Sequence, residues 1–322
     1  MLPKEIMRRV REIQVRTGRH VADVLAGEYV SVFKGSGIEF DEVRAYTPGD
    51  DIRSIDWNVT ARMGEPFVKR YVEERQLTLM LMADISASQD FGSSERSKRE
   101  CAAEFCALLA FSASRNDDKV GLLLFHSDIE QYIPPRKGQK HALRVVREVL
   151  AHGEETSPPT DGDGARRAGL WDRLFRGGRR LRAAREGTQI GRALEFFLSI
   201  NKRRSVCFVV SDFIDEDYEQ ALRTANRKHD VVAVLITDPR ELEIPSVGLI
   251  TLQDVESGAT RVVDAGSAAF CKAVQEQADE RVEGLRKRLA GSGIDLIHID
   301  AAGSVVDPLV RFFRARERRT RR

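Results

Sequence analysis

Residues Leu77–Ser88 read LTLMLMADISAS, an almost unbroken apolar run closed by Asp84, Ser86 and Ser88. A short continuous apolar run bounded by polar residues suits a strand buried on both faces, as in a parallel sheet covered by helices. In such sheets, side chains with chemistry gather where the carboxyl ends of the strands meet the loops. The D-x-S-x-S pattern lies at that end.

Outward from this strand the chain alternates. Glu95–Arg115 predicts a helix with Phe105, Leu108, Leu109 and Ser112 on its inner stripe, and Lys119–Phe125 (KVGLLLF) predicts a second buried strand. Asp128–Ile133 is expected as an antiparallel partner across a tight turn at His126–Asp128, followed by an amphipathic helix over Lys137–Leu150. Thr188–Lys202 carries Ile190, Ala193, Leu194, Phe197 and Leu198 at helical spacing. Strands at Ser205–Ser211, Asp230–Thr237 and Ile294–Asp300 then alternate with helices at Asp215–Arg227, Gly266–Ala290 and Val305–Arg316, with a hairpin over Val247–Val263. This order predicts an α/β fold with a doubly wound, mostly parallel sheet flanked by helices.

Upstream, Pro3–Thr17 reads as a helix. Gly27–Gln76 reads as a strand and loop module with a turn at Pro48-Gly49-Asp50 and a β-prone piece at Glu65–Val72. Arg44, Asp50, Asp51, Arg53, Asp56 and Arg62 are expected to fix this irregular segment through mutually satisfied, buried ion pairs, with Trp57 in the core. The expected domains are 1–76 (N-terminal helix and module), 77–304 (the α/β domain) and 305–322 (a last helix and an Arg-rich tail). Gly153–Gly187 interrupts the second with SPPTDGDG and a strongly basic stretch. It reads as a flexible charged insertion, with a docking helix at Leu170–Arg176 as the sharper alternative.

The 322 residues are 42% hydrophobic and 32% charged, which describes a soluble globular protein with room for a real core. The apolar stretches are too short to cross a bilayer and the N-terminus has no apolar signal core, so the chain is expected to be cytoplasmic and not transmembrane. Formal net charge is +2, but the last twelve residues carry seven Arg against one Glu. Without them, 52 basic and 50 acidic side chains fall to 45 and 49, so the basicity belongs to the tail and no specific nucleic-acid partner is expected. Cys101, Cys106, Cys207 and Cys271 show no metal-ligand spacing and read as reduced core thiols. The six His form no H-E-x-x-H or i,i+4 pair.

Three loops at strand ends or helix starts carry Asp84-x-Ser86-x-Ser88, Thr188 in GTQIGRAL, and Asp212 in VVSDF. All offer hard oxygen donors. Hydroxyls with few carboxylates suit Mg²⁺ or Mn²⁺, completed by waters and an outside ligand. Each Asp or Ser alone could instead cap a helix.

In this order the three pieces resemble the metal-ion-dependent adhesion site of von Willebrand factor A domains. The resemblance implies that Ser86, Ser88 and Thr188 coordinate the ion directly, that Asp84 and Asp212 act through bound water, and that a partner's carboxylate takes the remaining position. Upstream, Gly35-x-Gly37-x-Glu39-Phe40, Arg44-x-Tyr46, Pro48-Gly49-Asp50-Asp51, Arg53, Ile55-Asp56-Trp57 and Ala61-Arg62 resemble the signature of domain-of-unknown-function family 58. That resemblance spans roughly Gly27 to Asp300. It implies a divalent-metal-dependent protein-interaction module rather than an enzyme, partnered by a MoxR-type AAA+ ATPase or by a client presenting an acidic residue, in chaperone-like assembly.

Two alternatives stand beside it. Asp84 at the end of a first strand could be an aspartyl nucleophile of a metal-dependent phosphatase, but Ser86 occupies the place where such enzymes need a second acid. No G-x-S-x-G, G-x-x-x-x-G-K-[ST] or post-strand G-x-G-x-x-G motif is present. The other is a structural interaction protein whose metal site goes unused.

Overall fold

A computed structural model describes residues 38–73, 77–94, 96–151, 188–253 and 260–320. The helix expected at Pro3–Thr17, the charged insertion and residues 254–259 of the expected hairpin lie outside the described residues.

Strands β1 (Ile38–Ala45) and β2 (Phe67–Glu73) pair antiparallel as a separate ribbon, with an irregularity between Phe40 and Glu42. Between them, helix α1 (Trp57–Met63) starts at Asp56, whose side chain accepts from the amides of Asn58 and Val59, and stops at the left-handed Gly64. Polar contacts hold the intervening loop. Arg44 Nη2 donates to Asp50 Oδ1 at 2.6 Å, and Thr47 donates from amide and hydroxyl to Asp50 Oδ2, each at 2.9 Å. The hydrogen bond from Arg44, then those from Thr47, hold the Asp50 carboxyl down at about 2.

Two expectations for this module need correction. The Arg44 side chain of the pair is 40% exposed, so this ion pair fixes the loop from the surface. Trp57 is 67% exposed rather than core. It opens α1, and among the described side chains of the module only Val68 is buried.

The main sheet uses β3 (Thr78–Asp84), β4 (Lys119–Phe125), β5 (Ile129–Arg136), β6 (Val206–Ser211) and β7 (Asp230–Thr237). Strands β8 (Leu249–Gln253) and β9 (Thr260–Asp264) form the expected hairpin apart from it, and β10 (Asp295–Asp300) completes it. The order is β10-β7-β6-β3-β4-β5, parallel except for the β4–β5 pair. This is the mixed α/β, largely parallel sheet that the alternating sequence predicts.

Helices α2 (Lys98–Arg115), α3 (Gln139–Ala151), α4 (Ile190–Ile200), α5 (Glu219–Lys228), the short α6 (Pro239–Leu242), α7 (Ala268–Gly291) and α8 (Val306–Thr320) complete the described elements. Alternation along β3 sorts the core into two layers. Leu79, Leu81 and Ala83 pack with Phe105 and Leu109 of α2, Val146 of α3 and Phe313 of α8. Met80 and Met82 pack with Phe197 of α4, Leu222 of α5 and Leu289 of α7. Each of the buried Leu, Met, Val and Phe side chains contributes about 1.5–3 kcal/mol against exposure, so the two layers fix which face every strand presents. Helix α2 buries more than the predicted stripe, because α3 packs beside it on the same face of the sheet: Ala102, Cys106 and Ala110 are buried too.

Strand β3 pairs with β4 on one side and with β6, far later in the chain, on the other. Connections leaving to opposite sides open a crevice at the carboxyl ends of β3 and β6, the place where ligands bind in open α/β sheets.

Candidate metal centre

The crevice gathers all the predicted donors. Asp84 ends β3 and is 2% exposed; its Oδ1 accepts the Ser86 amide at 2.8 Å, which folds the loop back over the strand end. Ser86 Oγ and Ser88 Oγ lie 3.0 Å apart. Ser88 Oγ donates to Asp212 Oδ2 at 2.8 Å, tying the loop after β3 to the end of β6.

Thr188 comes from distant sequence and is positioned by the two residues that follow it. The Gln189 amide donates to the carbonyl of His126 at 2.9 Å, and the Ile190 amide donates to Asp215 Oδ2 at 2.7 Å. Thr188 Oγ1 thereby reaches Asp84 Oδ2 at 3.3 Å. Backbone strain marks the opposite wall: Phe213, beside Asp212, is buried at φ 53, a left-handed conformation costly for a bulky residue.

Three further residues support or border the site. Ser211 Oγ donates to Asp84 Oδ2 at 2.7 Å and accepts the Phe213 amide at 3.1 Å. Lys98, with no exposed surface, donates from Nζ to Asp212 Oδ2 at 2.9 Å and to Glu241 Oε1 at 2.6 Å. Glu241 Oε2 also accepts the amide of Asp238, in the capping box of α6. The sequence holds a signal for Lys98 that its reading missed. Ser97-x-x-Glu100 is a capping box, and a lysine inside it puts a cation at the positive end of a helix. Such a local conflict needs compensation, which Asp212 and Glu241 supply.

The electrostatics are uneven. Burial, then the neighbouring charge of Asp212, push the Asp84 carboxyl up to about 6 against the hydrogen bonds from Ser211 and Ser86. Burial would raise Asp212 as well, but the Lys98 ammonium and the hydrogen bonds from Lys98, Ser88 and the Ile214 amide outweigh it and hold this carboxyl low. Lys98 is likewise raised, because Asp212 and Glu241 outweigh its burial.

The donor set fits a small hard cation. Adjacent ligands of an octahedral ion with bonds of about 2.1 Å lie about 3.0 Å apart. The two serine oxygens, hydrogen-bonded to each other, have that spacing. The protons of Ser88 and Thr188 are directed at Asp212 and Asp84, which leaves oxygen lone pairs for an ion. Among the described residues there is no group of three or more His, Cys, Asp or Glu able to hold a metal, so an ion in this crevice would rely on these hydroxyls.

The family model described as protein of unknown function DUF58 matches residues 42–283. The chain belongs to the DUF58 family. An uncharacterized protein of Mycobacterium tuberculosis is 28% identical over 310 residues, covering 96% of this DUF58 chain and 89% of that protein. Among solved structures, the conserved hypothetical protein BatB from Bacteroides thetaiotaomicron is 16% identical with a TM-score of 0.43, over 75% of this chain and 99% of that one. The VWA domain of SpRpn10 is 11% identical with a TM-score of 0.35, over 74% and 95% respectively. At these identities the likeness concerns the fold alone. Among the described residues of this DUF58 chain, no helix is long and apolar enough to cross a membrane.

Proposed function

We propose that the chain is a divalent-cation-dependent protein-interaction module. In this reading Ser86, Ser88, Thr188, Asp84 and Asp212 hold Mg²⁺ or Mn²⁺, and the ion grips a carboxylate on a partner. The observation that carries it is the 3.0 Å spacing of Ser86 Oγ and Ser88 Oγ, beside two carboxylates that take the hydroxyl protons of Ser88 and Thr188. An ion with few negative protein ligands stays electrophilic and therefore attracts an incoming Asp or Glu. The site's own residues supply orientation: Asp84 and Asp212 turn the hydroxyls, and Lys98 fixes Asp212.

Recognition rather than turnover is favoured by the state of Asp84. Its Oδ1 accepts the Ser86 amide and its Oδ2 accepts Ser211 and Thr188, so the carboxylate is fixed as an orienting group, and at 2% exposure it presents little surface to a substrate. As partner we propose a MoxR-type AAA+ ATPase, or a client it delivers, presenting an acidic residue. A pull-down with the purified ATPase, run in Mg²⁺ and in EDTA, tests this. Capture in Mg²⁺ that is lost in EDTA and in Ser88→Ala supports the reading; equal capture under all conditions refutes metal-bridged recognition.

A further inference from the structure

The Lys98 ammonium sits beside the proposed ion site. Asp212 Oδ2 accepts Lys98 Nζ at 2.9 Å and Ser88 Oγ at 2.8 Å, so this oxygen already faces one positive charge. The same ammonium donates to Glu241 Oε1 at 2.6 Å, and Glu241 is itself held by the amide of Asp238 at the end of β7. The loop that leads into Lys98 is anchored to the same strand end, because the Ser93 amide donates to Asp238 Oδ2 at 2.8 Å and its hydroxyl to Asp238 Oδ1. The lysine thus lies between two acceptors, one inside the proposed site and one outside it.

We propose that Lys98 is a tethered counter-ion that competes with the divalent cation for Asp212 and so sets the affinity of the site. The inference rests on the cation reading above. Asp84, Asp212 and Glu241 contribute three carboxyl groups and Lys98 one opposing charge. With the ammonium in place an isolated ion is held weakly, and the carboxylate of a partner adds the negative charge that retains it. Ion binding and partner binding are thereby coupled through one side chain. Glu241 shares the ammonium and so relieves part of the competition.

Two substitutions move the affinity in opposite directions. Lys98→Met removes the competing charge, while Glu241→Gln leaves the ammonium wholly to Asp212. A residue serving only as a structural pin predicts weaker binding in both. The test is calorimetric titration of the full chain with MnCl₂, with circular dichroism confirming the fold of each variant. The expected results are binding about tenfold or more tighter in Lys98→Met and about threefold or more weaker in Glu241→Gln, as befits a unit charge moved within a poorly screened site. Binding by Lys98→Met with none measurable in wild type also supports the proposal. Folded Lys98→Met with unchanged or weaker affinity overturns the role of Lys98 and leaves the cation reading standing. No binding by wild type or folded Lys98→Met overturns both. Where Lys98→Met does not fold, Lys98→Gln takes its place, and unchanged or weaker binding in it overturns the proposal.

Discussion

Ser88 and Asp212 are joined by a 2.8 Å hydrogen bond across 124 residues of sequence, which makes the loop after β3 and the end of β6 one polar unit. The two carboxylates of that unit have different jobs, and Asn substitutions separate them. Asp84 accepts only neutral donors, so Asp84→Asn is expected to change stability by under about 1 kcal/mol while abolishing Mn²⁺ binding. Asp212→Asn removes one of two partners of a buried ammonium and is expected to cost about 2–4 kcal/mol as well as the ion. Urea unfolding of both variants, beside a metal titration, checks the contrast.

Glycines near the site divide in the same way. A Cβ at Gly92 would lie 2.7 Å from Ser97 Cα and 2.8 Å from the Arg96 carbonyl, both backbone atoms of the loop that leads into α2. Gly92→Ala is expected to destabilise by about 1–3 kcal/mol. Gly191 in α4 has only Tyr218 Cα within reach, at 3.9 Å. There Gly→Ala is expected to stabilise by about 0.5 kcal/mol, through the lost freedom of the unfolded chain.

His229 makes stability depend on pH. Burial, then Lys228 and Arg204, lower its imidazole from 6.5 to about 4. The ring packs 4.6 Å from Phe197, with Nδ1 3.0 Å from Ser205 Oγ. Between those values the unfolded chain holds a proton that the folded chain does not. Its contribution is therefore full above 6.5 and is lost as pH falls toward about 4. Asp84, raised from 3.8 to about 6, opposes this: its contribution is full below 3.8 and is lost as pH rises through about 6. The difference between wild type and His229→Gln isolates the histidine. It should grow by roughly 2 kcal/mol from about pH 4 to pH 7 in guanidinium unfolding. A flat difference contradicts the account.

Thiol chemistry should report the core. Cys101 and Cys106 are pushed up to about 12 by burial, and Cys207 is raised as well. Cys271 is half-buried, with Sγ 3.2 Å from the Ala265 carbonyl. Maleimide labelling of native protein is expected to modify Cys271 first, with the other three reacting only as the chain unfolds.

The sheet was legible where the apolar runs were continuous. Lys119–Phe125 and Asp230–Thr237 appear with the predicted ends, because strands buried on both faces write themselves as unbroken hydrophobic segments. Helix starts were less legible. Helix α5 begins at Glu219 rather than Asp215, because the Asp215 carboxylate is spent on the Ile190 amide and Asp217 adopts a left-handed backbone at φ 61. Helix α2 begins at Lys98 rather than Glu95, where Ser97 provides the cap. The five oxygen donors were legible from their types and order. The capping box around Lys98 marked a cation in need of partners but not which ones, since only tertiary packing brings Asp212 and Glu241 to it. Trp57 misled because size and aromaticity say nothing about whether a small ribbon has a core to offer.

The central claim is that oxygens from the ends of β3 and β6 and the start of α4 hold one divalent cation. Electron paramagnetic resonance of Mn²⁺ titrated into the full chain tests it directly, since the free ion's signal falls as it binds. The account predicts one bound Mn²⁺ per chain, displaced by excess Mg²⁺ and lost in Ser88→Ala and in Thr188→Val, with both variants folded. Undiminished free Mn²⁺ signal with wild type, or equal binding by all three proteins, would contradict it.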